Sequence, residues 1–416
     1  MPLSAYQYPG IYVEEVPGIH TITAAGTSTA AFVGSAPDAG AHLNEAVAID
    51  SWTKFRREFA SADNSHSTWL SHAVYGFFEN GGGRCFVVNM PDSEAIAGGV
   101  QPRTGLSLLE EIDDVSIVAA PGKYDAASHA ALLAHCEKMG NRVAICDPPQ
   151  DVPNTELLKV VETAAIPAKG KDKDKDKGAG SASASDAGPK SGGGLRPPTA
   201  ASGLATLYFP WLYVADALNP KGDLVAVPPS GIVAGMWAKT DVTRGVHKAP
   251  ANMIPAGALN LTYRVTSAEQ AGLNSMGINC FRWFPTEGIV LWAARTLADQ
   301  DSEWRYIPVR RSVIMVEESI KRATGWVVFE PNDRTLWKTI RAEITGFLTA
   351  VWRDGALFGA TAEEAFFVKC DEETNTQETI DMGQVITIVG LRPVKPAEFI
   401  IFRITQFEGG SEVQTL

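Results

Sequence analysis

Apolar positions along the chain switch between two spacings, and the switching predicts most of its elements. Thr29-Ala30-Ala31-Phe32-Val33-Gly34 carries no strongly polar position, the pattern of a short buried strand. Ser51 is a good N-cap for a helix running to about Phe59. From Thr68, the residues Leu70, Val74, Phe77 and Phe78 recur at helical spacing, and Asn80-Gly81-Gly82-Gly83 suits a left-handed stop. Cys85 to Asn89 follows as a strand. The alternation then repeats: a short helix from Leu106 to Ile112, a buried strand from Val115 to Ala120 closed by Pro121-Gly122, a helix from Asp125 to Met139, and a strand from Arg142 to Asp147 stopped by Pro148-Pro149. Strand, helix, strand in that order predicts a parallel crossover unit.

Further on, Leu207 to Val214 reads as an aromatic strand. Pro228-Pro229-Ser230-Gly231 opens a helix through Ile232, Val233, Met236 and Trp237, and 243–252 is a polar, turn-rich loop. The block from Phe281 to Phe407 is the densest in aromatic, apolar and basic residues. Thr286 can cap a helix bearing Ile289, Trp292 and Thr296. Ser312 begins a second with Val313, Val316, Ile320 and Ala323. Asn332 or Asp333 caps a third, whose Leu336, Ile340, Ile344, Phe347 and Val351 share one face before Asp354-Gly355. Strands are expected at about 365–370, 384–390 and 397–407.

Two stretches stand apart. Residues 1–20 read as an extended arm. Within it Ile11-Tyr12-Val13-Glu14-Glu15-Val16 has strand composition between Pro9-Gly10 and Pro17-Gly18. With no hairpin partner nearby, its backbone groups need a distant strand of the same chain or of another chain. Residues 168–203 are low in complexity, with alternating lysine and aspartate and then small residues. They read as a flexible, solvated surface loop.

Composition narrows the classes. At 416 residues and 45% hydrophobic content, the chain suits two or three domains with a sizeable core. A net charge of -12 argues against indiscriminate nucleic-acid binding. MPLSAYQYPG lacks the charged and apolar regions of a secretory signal, and no apolar run approaches the ~18 residues of a membrane span. Cys85, Cys136, Cys146, Cys280 and Cys370 form no C-x-x-C pair, so buried free thiols in a reducing cytoplasm are expected.

The search for chemistry finds no constellation. Gly81-Gly82-Gly83-Arg84 follows a helix and lacks the Lys-Ser ending of a phosphate loop. Gly272 to Gly277 is one residue too long for a nucleophile elbow. His129 and His135 lie off a common helical face for a metal. Asp299, Asp301 and Glu303, like Asp371-Glu372-Glu373, read as solvated acidic turns. Basic residues do gather from Arg305 to Arg353, among them Arg310, Arg311, Lys321, Arg322, Arg334, Lys338, Arg341 and Arg353. Three readings stand open for them: phosphate binding, pairing with Glu317, Glu318, Glu330 and Glu343, or a docking face for an acidic protein.

Taken in order, several motifs resemble the tail sheath proteins of contractile phages, R-type bacteriocins and extracellular contractile injection particles. Tyr8 to Glu15 resembles the family's N-terminal arm, and Phe32-Val33-Gly34 and Asn80-Gly81-Gly82 fit the segment after it. Pro228 to Gly231, Thr240-Asp241 and Arg244 to Asn252 resemble the central signature, with His247 where tryptophan is expected. Trp292-Ala293-Ala294-Arg295-Thr296 is similar to a Trp-Gly-Ala-Arg-Thr motif. Asn332 to Trp337, Gly355 to Gly359 and Pro396-Ala397-Glu398-Phe399-Ile400 complete the match.

The resemblance implies a mixed α/β, multi-domain structural subunit with no catalytic residue, metal or cofactor. Its expected parts are an arm at 1–20, an α/β segment at 21–100 packing with the C-terminal domain, and an outer α/β domain at 101–280 carrying the loop at 168–203. An inner domain at 281–396, with a mixed sheet flanked by helices, and a C-terminal strand arm at 397–416 complete it. Ile11, Tyr12, Val13, Glu14 and Glu15 at one end, and Phe399, Ile401, Arg403 and Ile404 at the other, would be exchanged between subunits. Lys321, Arg322, Arg334, Lys338 and Arg341 are the tube-facing candidates. The implied partners are neighbouring sheath subunits or paralogues, an inner tube, a baseplate and a terminal cap, with neither nucleic acid nor membrane insertion. Assembly in a bacterial cytoplasm, as a phage tail or a released particle, follows. Two other readings stay open: an α/β hydrolase-like or nucleotide-binding enzyme, suggested by the alternation at 100–150, and a related baseplate or cap component.

Overall fold

Strands with no polar face must be covered on both sides, and that requirement organises the larger part of the molecule. In the computed structural model, which describes residues 21–61, 66–162, 193–219 and 221–402, the chain forms two compact units. One comprises Thr27–Ser312 with 394–402. The other comprises 21–26 with Val313–Pro393. The expected arm strand Ile11 to Val16, and Arg403 and Ile404, lie outside the described residues.

The larger unit contains, in order, β1 (Ala30–Gly34), β2 (Ala46–Ile49), α1 (Trp52–Phe59), α2 (Trp69–Glu79), β3 (Cys85–Asn89), β4 (Ile117–Ala119), α3 (Ala126–Met139), β5 (Val143–Cys146), β6 (Ala205–Phe209), β7 (Leu212–Ala215), β8 (Leu224–Val227), α4 (Ser230–Arg244), β9 (Ala258–Leu261), α5 (Ser267–Ser275), β10 (Ile278–Phe284) and β11 (Gly288–Leu291). Eight strands form one sheet in the order β11-β10-β6-β5-β4-β1-β3-β2. The run from β10 to β3 is parallel, and β11 and β2 pair antiparallel at the two edges. Every residue of β1, β3, β4, β5 and β6 is buried, which is why these strands are almost wholly apolar, with Asn89 of β3 and Thr206 of β6 as the buried polar exceptions. A second sheet, β8-β7-β9, is wholly antiparallel.

Helix ends follow local chemistry. Ser51, Thr68 and Asp125 accept the backbone N–H three residues on, and Gly140 closes α3 in the left-handed region. Helices α2 and α4 pack closely because small residues line both. A Cβ on Gly231 would stand 2.3 Å from Ala73 Cα, and one on Gly235 2.4 Å from the Phe77 carbonyl. Trp237, on the same helix, is fully buried and donates its indole N–H to Tyr208 Oη at 3.0 Å.

The smaller unit takes the C-terminal part of α6 (Ile307–Ala323), then α7 (Arg334–Arg353) and a two-stranded antiparallel sheet of β12 (Phe366–Lys369) and β13 (Ile388–Leu391). Asp333 caps α7 by accepting from Thr335 and Leu336 N–H, and the expected apolar face of Leu336, Ile340, Ile344, Phe347 and Val351 is buried.

Several expectations are corrected. Thr286 does not open a helix: β10 and β11 form a hairpin pairing Phe281 with Leu291 and Phe284 with Gly288. Ile289, Trp292 and Thr296 have helical spacing, but Gly288 holds φ 77 and turns the chain back. The aromatic strand splits into β6 and β7 around Pro210. Helix α6 begins at Ile307, with Pro308 inside its first turn, where a missing N–H costs nothing. Residues 193–203, assigned to the loop by composition, are packed: Arg196 and Ala200 are buried, and Arg196 forms an isolated bridge with Val161. The two chain segments there are stapled by Glu162 N–H to Arg196 O at 2.8 Å and Arg196 N–H to Val160 O at 3.0 Å.

Candidate functional site

In a doubly wound sheet the crevice at the carboxyl ends of the strands, where the winding direction changes, is the usual ligand site. Here the change falls between β1 and β4, and the structure fills that region. A Cβ on Gly122, just past β4, would lie 2.1 Å from the Trp69 ring at the start of α2. Asp147, at the end of β5, accepts from Gly122 N–H at 3.1 Å, Ser230 N–H at 2.9 Å and Ser230 Oγ–H at 2.7 Å. Burial raises the Asp147 carboxyl to about 6, against the lowering effect of those donors. Ser230 of the Pro-Pro-Ser-Gly motif thus fastens α4 to the sheet.

The sequence motifs that lie far apart in the chain converge elsewhere in the larger unit. Arg244 to Asn252, Trp292 to Ala294 and Val394 to Ile400 together line one cavity of about 860 Å³. At its edge stands Arg295, whose side chain is 4% exposed. Asn279 on β10 fixes its backbone, accepting Arg295 N–H at 2.7 Å and donating to Arg295 O at 2.8 Å. Nη1 donates to Asn274 O at 2.9 Å, Nε donates to Glu398 Oε1 at 2.9 Å, and Nη2 donates to Glu398 Oε2. The guanidinium is therefore used on every nitrogen, and its pairing with Glu398 is a two-pronged, charge-assisted one. Tyr306 Oη lies 3.5 Å from the same carboxylate.

Past Glu398 the last four described residues are bare. Phe399, Ile400, Ile401 and Phe402 are 72%, 76%, 80% and 83% exposed, with no strand assigned to them. Four consecutive exposed apolar residues are unusual for an isolated subunit. The β12–β13 sheet in the smaller unit is a second such feature. Its strands are four residues each, Phe367 and Ile388 are 57% and 47% exposed, and no third strand pairs with them among the described residues.

The basic residues divide. Glu318 takes both Lys321 at 3.3 Å and Arg322 at 3.6 Å, and Arg334 pairs with Glu372 at 2.8 Å. Arg311 pairs with Asp241, and Arg310 donates to Ser202 O while stacking over Trp304. Lys338 and Arg341 are exposed on α7 with no carboxylate partner among the described residues. Together with Arg334 they share one helical face. Sequence reasoning singled out Phe399 and Ile401 but passed over the Arg295–Glu398 pair, 103 residues apart. The available signal was an arginine and a glutamate sitting in two separately matched motifs.

Residues 196–297 match the family model of the phage tail sheath protein central domain, and 299–407 that of the phage tail sheath C-terminal domain. The tail sheath protein of Salmonella phage ViI is 29% identical over 187 residues, covering 44% of this chain and 28% of that protein, so the match spans under a third of that relative's length. The sheath of the extracellular contractile injection system PVC in its contracted state superposes with a TM-score of 0.72 at 30% identity, over 97% of this chain and 98% of that one. The contracted helical sheath of the anti-feeding prophage gives 0.71 at 30% identity, over 97% and 100%. The mixed α/β architecture, the converging motifs and these full-length likenesses place the chain in the contractile tail sheath family, a family of structural rather than catalytic proteins.

Proposed function

We propose that the chain polymerises helically with copies of itself around an inner tube and contracts to drive that tube through a target envelope. The full-length likeness to two contracted sheaths carries this reading. The open β12–β13 sheet supports it physically. Two short strands alone are marginal, and each presents an unpaired edge to which a neighbour's arm can add. The segment from Phe399, with Ile401, Arg403 and Ile404, is one donor, and Ile11 to Glu15 is the other. A head-to-tail link of this kind that does not close generates a helix.

In this reading the subunits turn as near-rigid bodies on contraction while the strand links keep the lattice connected, and a small gain per copy sums along the polymer. Neighbouring copies or paralogues, an inner tube, a baseplate and a cap are the partners, and assembly takes place in a bacterial cytoplasm. The Arg334–Lys338–Arg341 face of α7 is the candidate for the tube. Among the described residues no helix is long and apolar enough to cross a membrane. Negative-stain electron microscopy of the purified chain tests the proposal: striated hollow tubes are expected, lost on deletion of residues 1–20 while the folded subunit survives. Discrete monomers of the intact chain at high concentration overturn it.

A further inference from the structure

One residue ties the stretch 394–402 to the rest of the larger unit. No backbone hydrogen bond engages this stretch among the described residues, and its side-chain hydrogen bonds all come from Glu398. Packing is incomplete there: Lys395, Ala397, Phe399 and Ile400 are exposed, and a cavity of about 860 Å³ lies against Val394 to Ile400. Arg295, by contrast, is immobilised by Asn279 on its backbone and by Asn274 on its Nη1. A fixed guanidinium thus holds an otherwise loosely laid strap at one carboxylate.

We propose that Glu398 is the anchor that sets where the C-terminal arm leaves the subunit, a swivel that keeps the arm's root in place while its direction stays free. This rests on the strand-exchange reading above. A two-pronged pair fixes the position and plane of one carboxylate, and single-bond rotations on either side of residue 398 let the flanking backbone turn. Pre-placing the root reduces the ordering cost when Phe399 to Phe402 enter a neighbour's sheet, and the arm can change direction without letting go. Glu398 acts as a positioning residue, since the pairing itself belongs to the residues after it.

The test uses the full chain with a nitroxide on Phe399→Cys; the five native cysteines are buried. In the dilute subunit the label is expected to be measurably less mobile than in the Glu398→Ala variant, with near-ultraviolet circular dichroism alike for the two. Sedimentable polymer at a fixed concentration is expected to fall about ten-fold. Glu398→Gln, which keeps the length and one hydrogen bond to Arg295, is expected to fall between; should the alanine variant not fold, this variant decides in the same assays. Label mobility and polymer yield equal to those of the unsubstituted chain overturn the proposal. Deleting 399–416, which leaves Glu398 in place, tests the reading beneath it. Polymer from that truncation overturns strand exchange itself, whereas its loss together with an inert Glu398 removes the anchor alone.

Discussion

Arg311 holds both oxygens of Asp241, seventy residues earlier, through Nη1 at 3.0 Å and Nη2 at 2.5 Å, and Nη2 also donates to Thr27 O at 2.8 Å. Both side chains are at most 4% exposed, and the guanidinium lies 4.6 Å from the Trp237 ring centre. Burial raises the Asp241 carboxyl, against the lowering by Arg311. Removing one member of such a pair strands the other's charge in the interior. Asp241→Ala is expected to destabilise the larger unit by about 3–5 kcal/mol in urea titration. A replacement of both residues by apolar side chains of similar volume should recover most of that loss. A single variant as stable as the unsubstituted chain removes the argument.

One substitution should have opposite signs at two glycines. Gly231→Ala would drive a methyl to 2.3 Å from Ala73 Cα, and is expected to cost about 1–3 kcal/mol or more by forcing α2 and α4 apart. Gly346→Ala lies within α7 with nothing within 4 Å of the new methyl. It is expected to stabilise by about 0.5–1 kcal/mol through helix propensity. Paired denaturation midpoints read both signs.

Stability should carry a histidine signature. Burial first, then the charge of Arg142, lowers His135 from 6.5 to about 4, and Arg142 Nη1 donates to its Nε2 at 3.3 Å. With its folded value below its unfolded one, this group removes stability as pH falls from about 6.5 to about 4, by about 3 kcal/mol in all. Asp147 acts oppositely: raised from 3.8 to about 6, it favours the folded state at low pH and loses that contribution as pH rises through about 6. His135→Gln should therefore hold its stability better than the unsubstituted chain between pH 6.5 and 4. Parallel curves for the two proteins would show that His135 titrates alike folded and unfolded.

Reversing charge at Arg334, Lys338 and Arg341 should separate folding from assembly. The Arg334–Glu372 pair is mostly exposed, so its loss costs about 0–1 kcal/mol. Thermal unfolding is expected to stay nearly unchanged while co-assembly with the tube protein weakens, most at low ionic strength. Normal extended particles from the triple variant exclude this face as the tube contact.

What could be read from sequence followed the range of the interactions. Asp125 with Gly140, and Asp333 with the apolar face from Leu336 to Val351, are local devices, and helices α3 and α7 were legible almost to their ends. The buried strands β1, β3, β4 and β5 announced themselves because two-sided burial leaves few polar positions, whereas β6 was read only as the start of one aromatic strand from Leu207. The β10–β11 hairpin did not, since Ile289, Trp292 and Thr296 fit a helix equally well until Cys280 and Phe281 are brought beside them. The pairs Arg295–Glu398 and Asp241–Arg311 are long-range and could be known only from the fold. The exposed run from Phe399 was legible as strand composition, but a strand needs a partner, and Phe399 to Phe402 have none among the described residues.

The bridge between Val161 and Arg196 fixes the exit and re-entry of the chain at a single point on the larger unit. Chain length between two joined points enters the folding free energy only logarithmically, so inserting residues between 162 and 193 is expected to leave the sheet's stability nearly unchanged. A foreign epitope or enzyme grafted there would be copied once per subunit along an entire polymer, which makes this neck a natural mounting point for turning the particle into a display scaffold.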